Sequence, residues 1–306
     1  MATLRPLFPD TLLPGYPLQC PKVQSPSSPL RAKFWFYVHE KILKPISNFY
    51  VRYYGINCRM GIFPLPFGLF LKSHDQIREQ EAMAMNLARA MGIPAPIAPS
   101  YGSVGTDDNI FTLPSILMTR VPGKDISQYP KGAINLDIVK EDLIKIIVRM
   151  RSFGSPWGDA VCGVDGGMVS GLYIPDYLIS GGANESAFYQ NFRDVAMFTA
   201  THHTEKHKGY IAGAERLFSL PPHAIVFTHG DMQWHNILVT PDSHITGIVD
   251  WESAGWMPDY WEFTIPSLRR SFWEKFMTQD VARNVYQEEV TGHRFLFEAV
   301  GDFLYH

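Results

Sequence analysis

The sequence predicts an α+β protein whose chain folds into two lobes on either side of a cleft. Short apolar runs that end in a polar residue, such as residues 69–72 (LFLK), predict buried strands. Longer stretches rich in Ala, Met, Glu and Arg, such as residues 75–91, predict helices. With 306 residues, the chain is long enough to form two lobes of ordinary size.

The chain is expected to have three parts, of which only the tail is set apart by its composition. Residues 1–30 contain seven prolines and predict an extended tail. Residues 31–119 are expected to form a smaller N-terminal lobe, and residues 120–306 a larger C-terminal lobe. Residues 32–50 are more typical of a helix than of a strand, although Pro45 interrupts the pattern.

Two strands and a helix are predicted in the smaller lobe. Residues 59–63 are expected to form a strand, residues 64–68 (PLPFG) a turn, and residues 69–72 a second strand that ends in a lysine. A helix over residues 75–91 would stop at the Gly-Ile-Pro sequence that follows it, since a C-terminal Gly and a later Pro end helices.

Helices and a glycine-rich loop are predicted in the first half of the larger lobe. Residues 136–153 predict an amphipathic helix, because apolar residues recur at three- and four-residue steps. These residues are Val139, Leu143, Ile147 and Met150. Residues 154–182 contain many glycines without a period and predict a loop, and residues 186–203 predict another helix.

Polar residues lie at the ends of short apolar strands in the second half of the larger lobe. Asp231 follows residues 226–227, Asn236 precedes residues 237–239, and Asp250 follows the next apolar run. Phosphoryl transfer from a nucleotide needs one carboxylate to orient the attacking hydroxyl. It also needs an Asn and a second Asp to hold the magnesium. The alternative is that Asp231 and Asn236 only cap a tight turn and that Asp250 only ends a strand.

The segment HGDMQWHNILV, followed by IVDWE, resembles the catalytic loop and metal-binding strand of the aminoglycoside phosphotransferase and choline-kinase-like families. Residue type, order and spacing all agree. The resemblance, which covers about residues 58–270, implies a protein-kinase-like fold with a small antiparallel-sheet N-lobe and a mainly helical C-lobe. It implies that Asp231 is the catalytic carboxylate and that Asn236 and Asp250 bind Mg²⁺. Trp234 stands where these families usually have a Pro or a small residue.

The same resemblance implies a nucleotide site in the smaller lobe. Lys72 would hold the phosphates of ATP, and a helical glutamate would position it. Glu81 fits the family's spacing, and Glu79 is the competing choice. The hinge between the lobes would contact the adenine edge through backbone groups from Thr119 to Val121.

A glycine-rich phosphate loop of the G-x-G-x-x-G kind is absent from the sequence. The turn before the lysine strand contains two prolines, which lack the N–H donor that a phosphate cradle uses. The first strand of the smaller lobe and its loop are therefore expected to be shortened or replaced.

The acceptor site is expected in the larger lobe, beside the catalytic loop. Carboxylates and aromatic rings there would hold an amine by charge and cation–π attraction. They are Trp251, Glu252, Trp256, Asp259, Tyr260, Trp261, Glu262 and Trp273. Alternatively, these aromatic residues pack the core. A glycine-rich segment at residues 162–167 resembles one that lies beside the acceptor site in fungal members of the family.

Composition narrows the other possibilities. The formal net charge is −3 and no dense basic run occurs, which argues against nucleic acid or a membrane surface as a partner. Three widely spaced cysteines and the absence of a signal-peptide pattern predict a cytoplasmic protein. His202, His203 and His207 are interpreted as a polar helix end rather than a metal site. The sequence favours no particular oligomeric state.

The sequence thus predicts an ATP- and Mg²⁺-dependent phosphotransferase that acts on a hydroxyl of a small molecule, with an amine-bearing acceptor favoured. Two alternatives remain open. One is a protein that keeps this fold but only binds its ligand. The other is an enzyme whose carboxylates perform acid–base chemistry on a natural product without ATP.

Overall fold

The computed structural model describes residues 17–104, 113–171, 174, 178–199, 205–268 and 271–300. The helices are α1 (Pro29–Val38), α2 (Lys44–Tyr54), α3 (Glu79–Ala90), α4 (Leu136–Arg151), α5 (Glu185–Thr199), α6 (Glu205–Phe218), α7 (Trp261–Leu268), α8 (Phe272–Lys275) and α9 (Gln287–Val300). The strands are β1 (Ile62–Leu65), β2 (Leu69–Ser73), β3 (Ser100–Gly102), β4 (Ser115–Thr119), β5 (Lys124–Asp125), β6 (Cys162–Gly163), β7 (Val169–Ser170), β8 (Leu178–Ile179), β9 (Ile225–Thr228), β10 (Ile237–Val239), β11 (Ile245–Ile248) and β12 (Gly255–Pro258).

The smaller lobe is built on an antiparallel sheet with strand order β1-β2-β4-β3. The predicted turn at residues 64–68 is partly wrong, because Pro64 and Leu65 belong to β1 and pair with Phe70 and Leu69. Pro64 fits there because β1 is an edge strand, where a missing N–H costs least. The turn itself is shorter, and Phe67 and the glycine after it have positive φ values of 62° and 69°.

The region before β1 is helical, as predicted. Ser28 caps α1, with Pro29 in the first turn, and a π-helical turn at His39–Leu43 joins α1 to α2. Gly55 ends α2 in the left-handed conformation, with φ 61°. No strand therefore precedes β1 among the residues that the structure describes. The chain therefore reaches β1 from a pair of helices rather than from another strand.

Helix α3 packs behind the sheet and carries the buried Glu81. It begins four residues later than the sequence predicts, at Glu79. The predicted boundary between the lobes, after residue 119, falls at the end of β4.

Two short sheets support the polar residues of the larger lobe, with strand orders β11-β10-β5 and β6-β12-β9. Helix α4 has the predicted apolar face, since the four residues that define it are all buried. The predicted loop at residues 154–182 contains the short strands β6, β7 and β8. Residues 200–204, and so the predicted end of α5 and two of the three histidines, lie outside the described residues, as does the side chain of His207.

The described part of the N-terminal tail connects both lobes. Leu18 N–H donates to Ser152 O at 2.7 Å, and Gly154 N–H donates to Leu18 O at 3.0 Å. Farther along, Ser27 N–H donates to the Glu79 carboxylate at 2.8 Å. In the described ranges, no helix is both long and apolar enough to cross a bilayer.

Candidate active site

Lys72 lies at the centre of the candidate site. Strand β2 places it between Ile62 and Ile116 in the sheet register. Its Nζ donates to Glu81 Oε1 at 2.9 Å and to Asp250 Oδ1 at 2.6 Å. The lysine therefore joins a helix of the smaller lobe to a strand end of the larger lobe, and Glu81 rather than Glu79 is its partner.

Burial and charge act against each other in this ion-pair network. Burial favours the neutral form of Lys72, but the carboxylates of Glu81, Asp250 and Glu252 outweigh it and raise the lysine pKa. Burial likewise raises the pKa of Glu81, against the opposing charge of Lys72. For Asp250, the effect of burial is exceeded by Lys72, and its pKa is lowered. The network thus keeps the cation charged in a largely buried position.

His229 connects the catalytic loop to the strand that carries Asp250. Its Nε2 lies 2.9 Å from Val249 O, and its Nδ1 accepts from Asp231 N–H at 3.2 Å. Because the carbonyl accepts only a donated proton, the ring carries its hydrogen on Nε2. Burial lowers the pKa of His229 to about 4, which keeps this ring neutral. His229 thereby links the backbone of Asp231 to Val249, the residue before Asp250.

Glu262 anchors the same loop from below. Its two carboxylate oxygens accept from His229 N–H at 2.8 Å and from Gly230 N–H at 3.1 Å. Burial raises the pKa of Glu262 to about 7, opposed by these bonds and by Arg151. Gly230 has φ +80°, and a Cβ there would lie 2.2 Å from Ser253 O, so only glycine fits.

Asn236 lies between the two aspartates. Its Nδ2 donates to Asp231 O at 2.9 Å and to Asp231 Oδ2 at 3.0 Å. Strand pairing then aligns Ile237 with Ile248, and Val249 N–H donates to Asn236 O at 2.9 Å. Since Nδ2 faces Asp231, the amide oxygen is the atom that can bind a metal. The five-residue spacing seen in the sequence therefore places the Asn236 amide beside Asp231, and strand pairing places its backbone beside Val249, the residue before Asp250.

Asp250 adopts the left-handed conformation, with φ 67° and ψ 65°. Such backbone strain in a residue other than glycine is concentrated at functional sites. The neighbouring Trp251 is fully buried and donates from Nε1 to Ile248 O at 2.8 Å. The buried indole secures the turn, so the carboxylate of Asp250 is aimed at Lys72.

Sequence reasoning assigned Glu252 to the acceptor site, but the structure places it in the ion-pair network. Its carboxylate lies 3.8 Å from Lys72 Nζ. Burial raises the pKa of Glu252 to about 7, and the charges of Asp250, Glu81 and Asp231 add to this effect. Glu252 therefore belongs to the same cluster of charges as Lys72. Its position two residues after Asp250 was the available signal.

Two backbone N–H groups of the hinge already form hydrogen bonds within the protein. Thr119 N–H donates to Ile97 O at 2.9 Å, and Arg120 N–H donates to Gly68 O at 2.7 Å. Val121 N–H makes no backbone hydrogen bond within the described ranges. Of these three N–H groups, only that of Val121 is therefore available to a ligand in the described part of the chain.

The aromatic residues proposed for acceptor binding are core residues instead. Their side chains are at most 3% exposed. They are Trp251, Trp256, Tyr260, Trp261 and Trp273. The core alternative is therefore correct for this set, because these rings fill the space beneath the catalytic loop. Trp234, which stands where the resembling families usually have a Pro or a small residue, stacks on Phe272 with ring centroids 4.6 Å apart.

The fold is the two-lobed, protein-kinase-like fold with a lysine, a glutamate and two aspartates at the cleft. Residues 66–283 match the APH phosphotransferase enzyme family. This match covers well over half of the chain, which therefore belongs to that family. No curated protein matches it.

Solved structures with the same fold include aminoglycoside phosphotransferases. APH(4)-Ia is 14% identical, with a TM-score of 0.58 over 83% of this chain and 88% of that one. A thermostable mutant of that enzyme, in a ternary complex with ADP and hygromycin B, is 13% identical, with a TM-score of 0.56 over the same shares. The GDP complex of aminoglycoside 2'-phosphotransferase-IIIa is 12% identical, with a TM-score of 0.54 over 80% of this chain and 82% of that one. At these identities the likeness establishes the fold alone.

Proposed function

We propose that this protein transfers the γ-phosphoryl group of ATP to a hydroxyl of a small molecule. The observation that carries the proposal is the position of Lys72, within hydrogen-bonding distance of both Glu81 and Asp250. A lysine held in this way across two lobes suits the binding of nucleotide phosphates. Family membership supports the same reaction class.

The oxygen donors present fit Mg²⁺, which prefers carboxylate and amide oxygens. Asn236 and Asp250 would hold the ion, and Glu252 is close enough to the same network to contribute. When bound, Mg²⁺ would neutralise charge on the phosphoryl group that is transferred.

Each protein residue then has a defined task. Asp231 orients the acceptor hydroxyl and takes its proton, while Glu81 keeps Lys72 directed at the phosphates. His229 stays neutral and fixes the distance between the catalytic loop and Asp250. The acceleration comes mainly from alignment and from charge placed in advance.

The location proposed for this reaction is the cytoplasm. Cys20, Cys58 and Cys162 are all free thiols in the structure, which supports a reducing compartment. The acceptor remains a hydroxyl-bearing small molecule. The structure gives less support to an amine-bearing acceptor than the sequence did, because the aromatic rings proposed to bind the amine are buried. The fungal-type assignment stays a prediction.

ADP release in the presence of Mg·ATP and a panel of amines, sugars and amino alcohols tests the proposal. We expect Asp250→Ala and Asp231→Asn to abolish turnover while thermal unfolding stays cooperative. Asp137→Ala is the matched control, since that side chain is 82% exposed on α4. Stabilisation by Mg·ATP without ADP release would identify a binding protein instead. Turnover of an acceptor without ATP would identify the acid–base alternative.

A further inference from the structure

The loop at residues 162–170, between β6 and β7, is a compact and well-anchored part of the larger lobe. Gly163 pairs with Gly255 in the β6-β12 register. Gly163 N–H donates to Gly167 O at 3.1 Å, and Gly167 N–H donates to Asp165 Oδ1 at 3.0 Å. The loop therefore presents the Asp165 carboxylate in a fixed position.

Gln80 on α3 of the smaller lobe binds this loop at several points. Its Nε2 donates to Asp165 Oδ1 at 2.7 Å and to Met168 O at 3.2 Å. Its Oε1 lies 3.3 Å from Ser170 Oγ. A Cβ at Gly163 would lie 2.5 Å from the backbone oxygen of Met168 and 2.8 Å from Gln80 Nε2, so the loop needs glycine at this position. Both the nitrogen and the oxygen of the Gln80 side-chain amide thus form hydrogen bonds with residues of the larger lobe.

The far side of the same loop contacts the segment after Asp250. Ser170 Oγ donates to Glu252 O at 2.8 Å. A Cβ at Gly171 would lie 2.6 Å from Ser253 Oγ. Ser253 in turn packs against Gly230 of the catalytic loop. The loop therefore fills the space between α3 and the residues that flank both aspartates.

This position matters because Lys72 has partners in both lobes. Glu81, the residue after Gln80, moves with α3, whereas Asp250 belongs to the larger lobe. A shift of α3 would break the Lys72–Glu81 contact, and that ion pair must be in place for phosphoryl transfer in kinase-like folds.

We propose that the 162–170 loop is a built-in strut that sets the distance of α3 from the larger lobe, with Gln80 and Asp165 as its positioning residues. Its effect on turnover rests on the proposed function, whereas its effect on Lys72 does not. Loss of a hydrogen bond to a charged partner corresponds to roughly a ten- to hundredfold change in an equilibrium.

Chemical labelling of Lys72 tests the strut independently of activity. Amine acylation followed by peptide mass spectrometry should show slow modification of Lys72 in the unmodified sequence, since its side chain is only 11% exposed and paired. Gln80→Ala and Asp165→Ala should each speed the labelling of Lys72 by about tenfold or more. Lys145, whose side chain is 72% exposed, is the internal reference. Unchanged labelling of Lys72 in both folded variants would overturn the proposal.

Kinetics provide the second measurement. Gln80→Ala and Asp165→Ala should each lower kcat/KM for ATP by about tenfold or more, and the double variant should be no worse than either single variant. Gln80→Lys should restore part of the loss, because a lysine can pair with Asp165. Arg89→Ala, an exposed position on the same helix, is the control. Additive losses, or losses no larger than that of the control, would contradict the strut. Absence of ADP release from the unaltered protein would refute the proposed function. The labelling of Lys72 would still test whether the 162–170 loop positions α3.

Discussion

The ionisation of His223 offers a quantitative test of the larger lobe. His223 lies between α5 and α9, with Nδ1 2.9 Å from Glu185 Oε1 and Nε2 3.1 Å from Glu289 Oε1. Both carboxylates accept hydrogen bonds, so both ring nitrogens carry a hydrogen and His223 is the imidazolium. Burial favours the neutral ring, but the bonds to Glu185 and Glu289 outweigh it and raise the pKa of His223 to about 9.

The size and sign of the change in stability with pH follow from this pKa. An ordinary histidine titrates near 6.5, so the rise to about 9 corresponds to roughly 3 kcal/mol of stability. The native state binds the proton more tightly than the unfolded chain does. The stabilisation is therefore fully present below pH 6.5 and is lost as the pH rises through about 9.

Urea unfolding, followed by tryptophan fluorescence, measures the effect. We expect the free-energy difference between the unaltered protein and His223→Gln to shrink by roughly 3 kcal/mol between about pH 6 and about pH 10. Glutamine keeps a donor but does not titrate, and other groups titrate in both proteins and cancel. Parallel stability curves across this range would show that folding does not raise the pKa of His223 and would refute the reasoning.

Three further substitutions probe the candidate site. Glu81→Gln should lower kcat/KM for ATP by about ten- to hundredfold, since Lys72 loses a charged partner and retains Asp250. Gly230→Ala should destabilise by at least about 2 kcal/mol in urea unfolding, because the residue is left-handed and its Cβ would meet Ser253 O. Glu262→Gln should cost about 1–3 kcal/mol, because its amide would turn a donor toward a backbone N–H.

Each of these substitutions has a control or a contrary outcome. Glu79→Gln, at the competing glutamate, should leave the nucleotide parameters unchanged, and an equal loss there would contradict the assignment of Glu81. Gly209→Ala is matched to Gly230→Ala, since nothing lies within 4 Å of a Cβ at Gly209 in α6. It should stabilise the helix slightly. A Glu262→Gln protein as stable as the unaltered one would show that the carboxylate does not anchor the loop.

Features determined by neighbouring residues could be predicted from the sequence. The apolar face of α4, the helical region before β1 and the spacing of Asp231 and Asn236 all depend on contacts within a few residues. Side-chain periodicity and backbone hydrogen bonding act over that range, so the pattern contains the information. The turn before β2 was misplaced because proline is compatible with an edge strand as well as with a turn, and the sequence does not reveal which strand is at the edge.

Contacts between distant elements were decided by the tertiary structure. Lys72 meets Asp250 across 178 positions and Gln80 meets Asp165 across 85. No local pattern encodes these pairs, since they form only when the two lobes close on each other. The same holds for Glu252 and for the buried tryptophans, whose roles depend on what surrounds them. The sequence alone therefore determined the chemical groups of the site and their local order. Packing of the lobes decided which of those groups share one network, because burial and ion pairing depend on distance in space rather than along the chain.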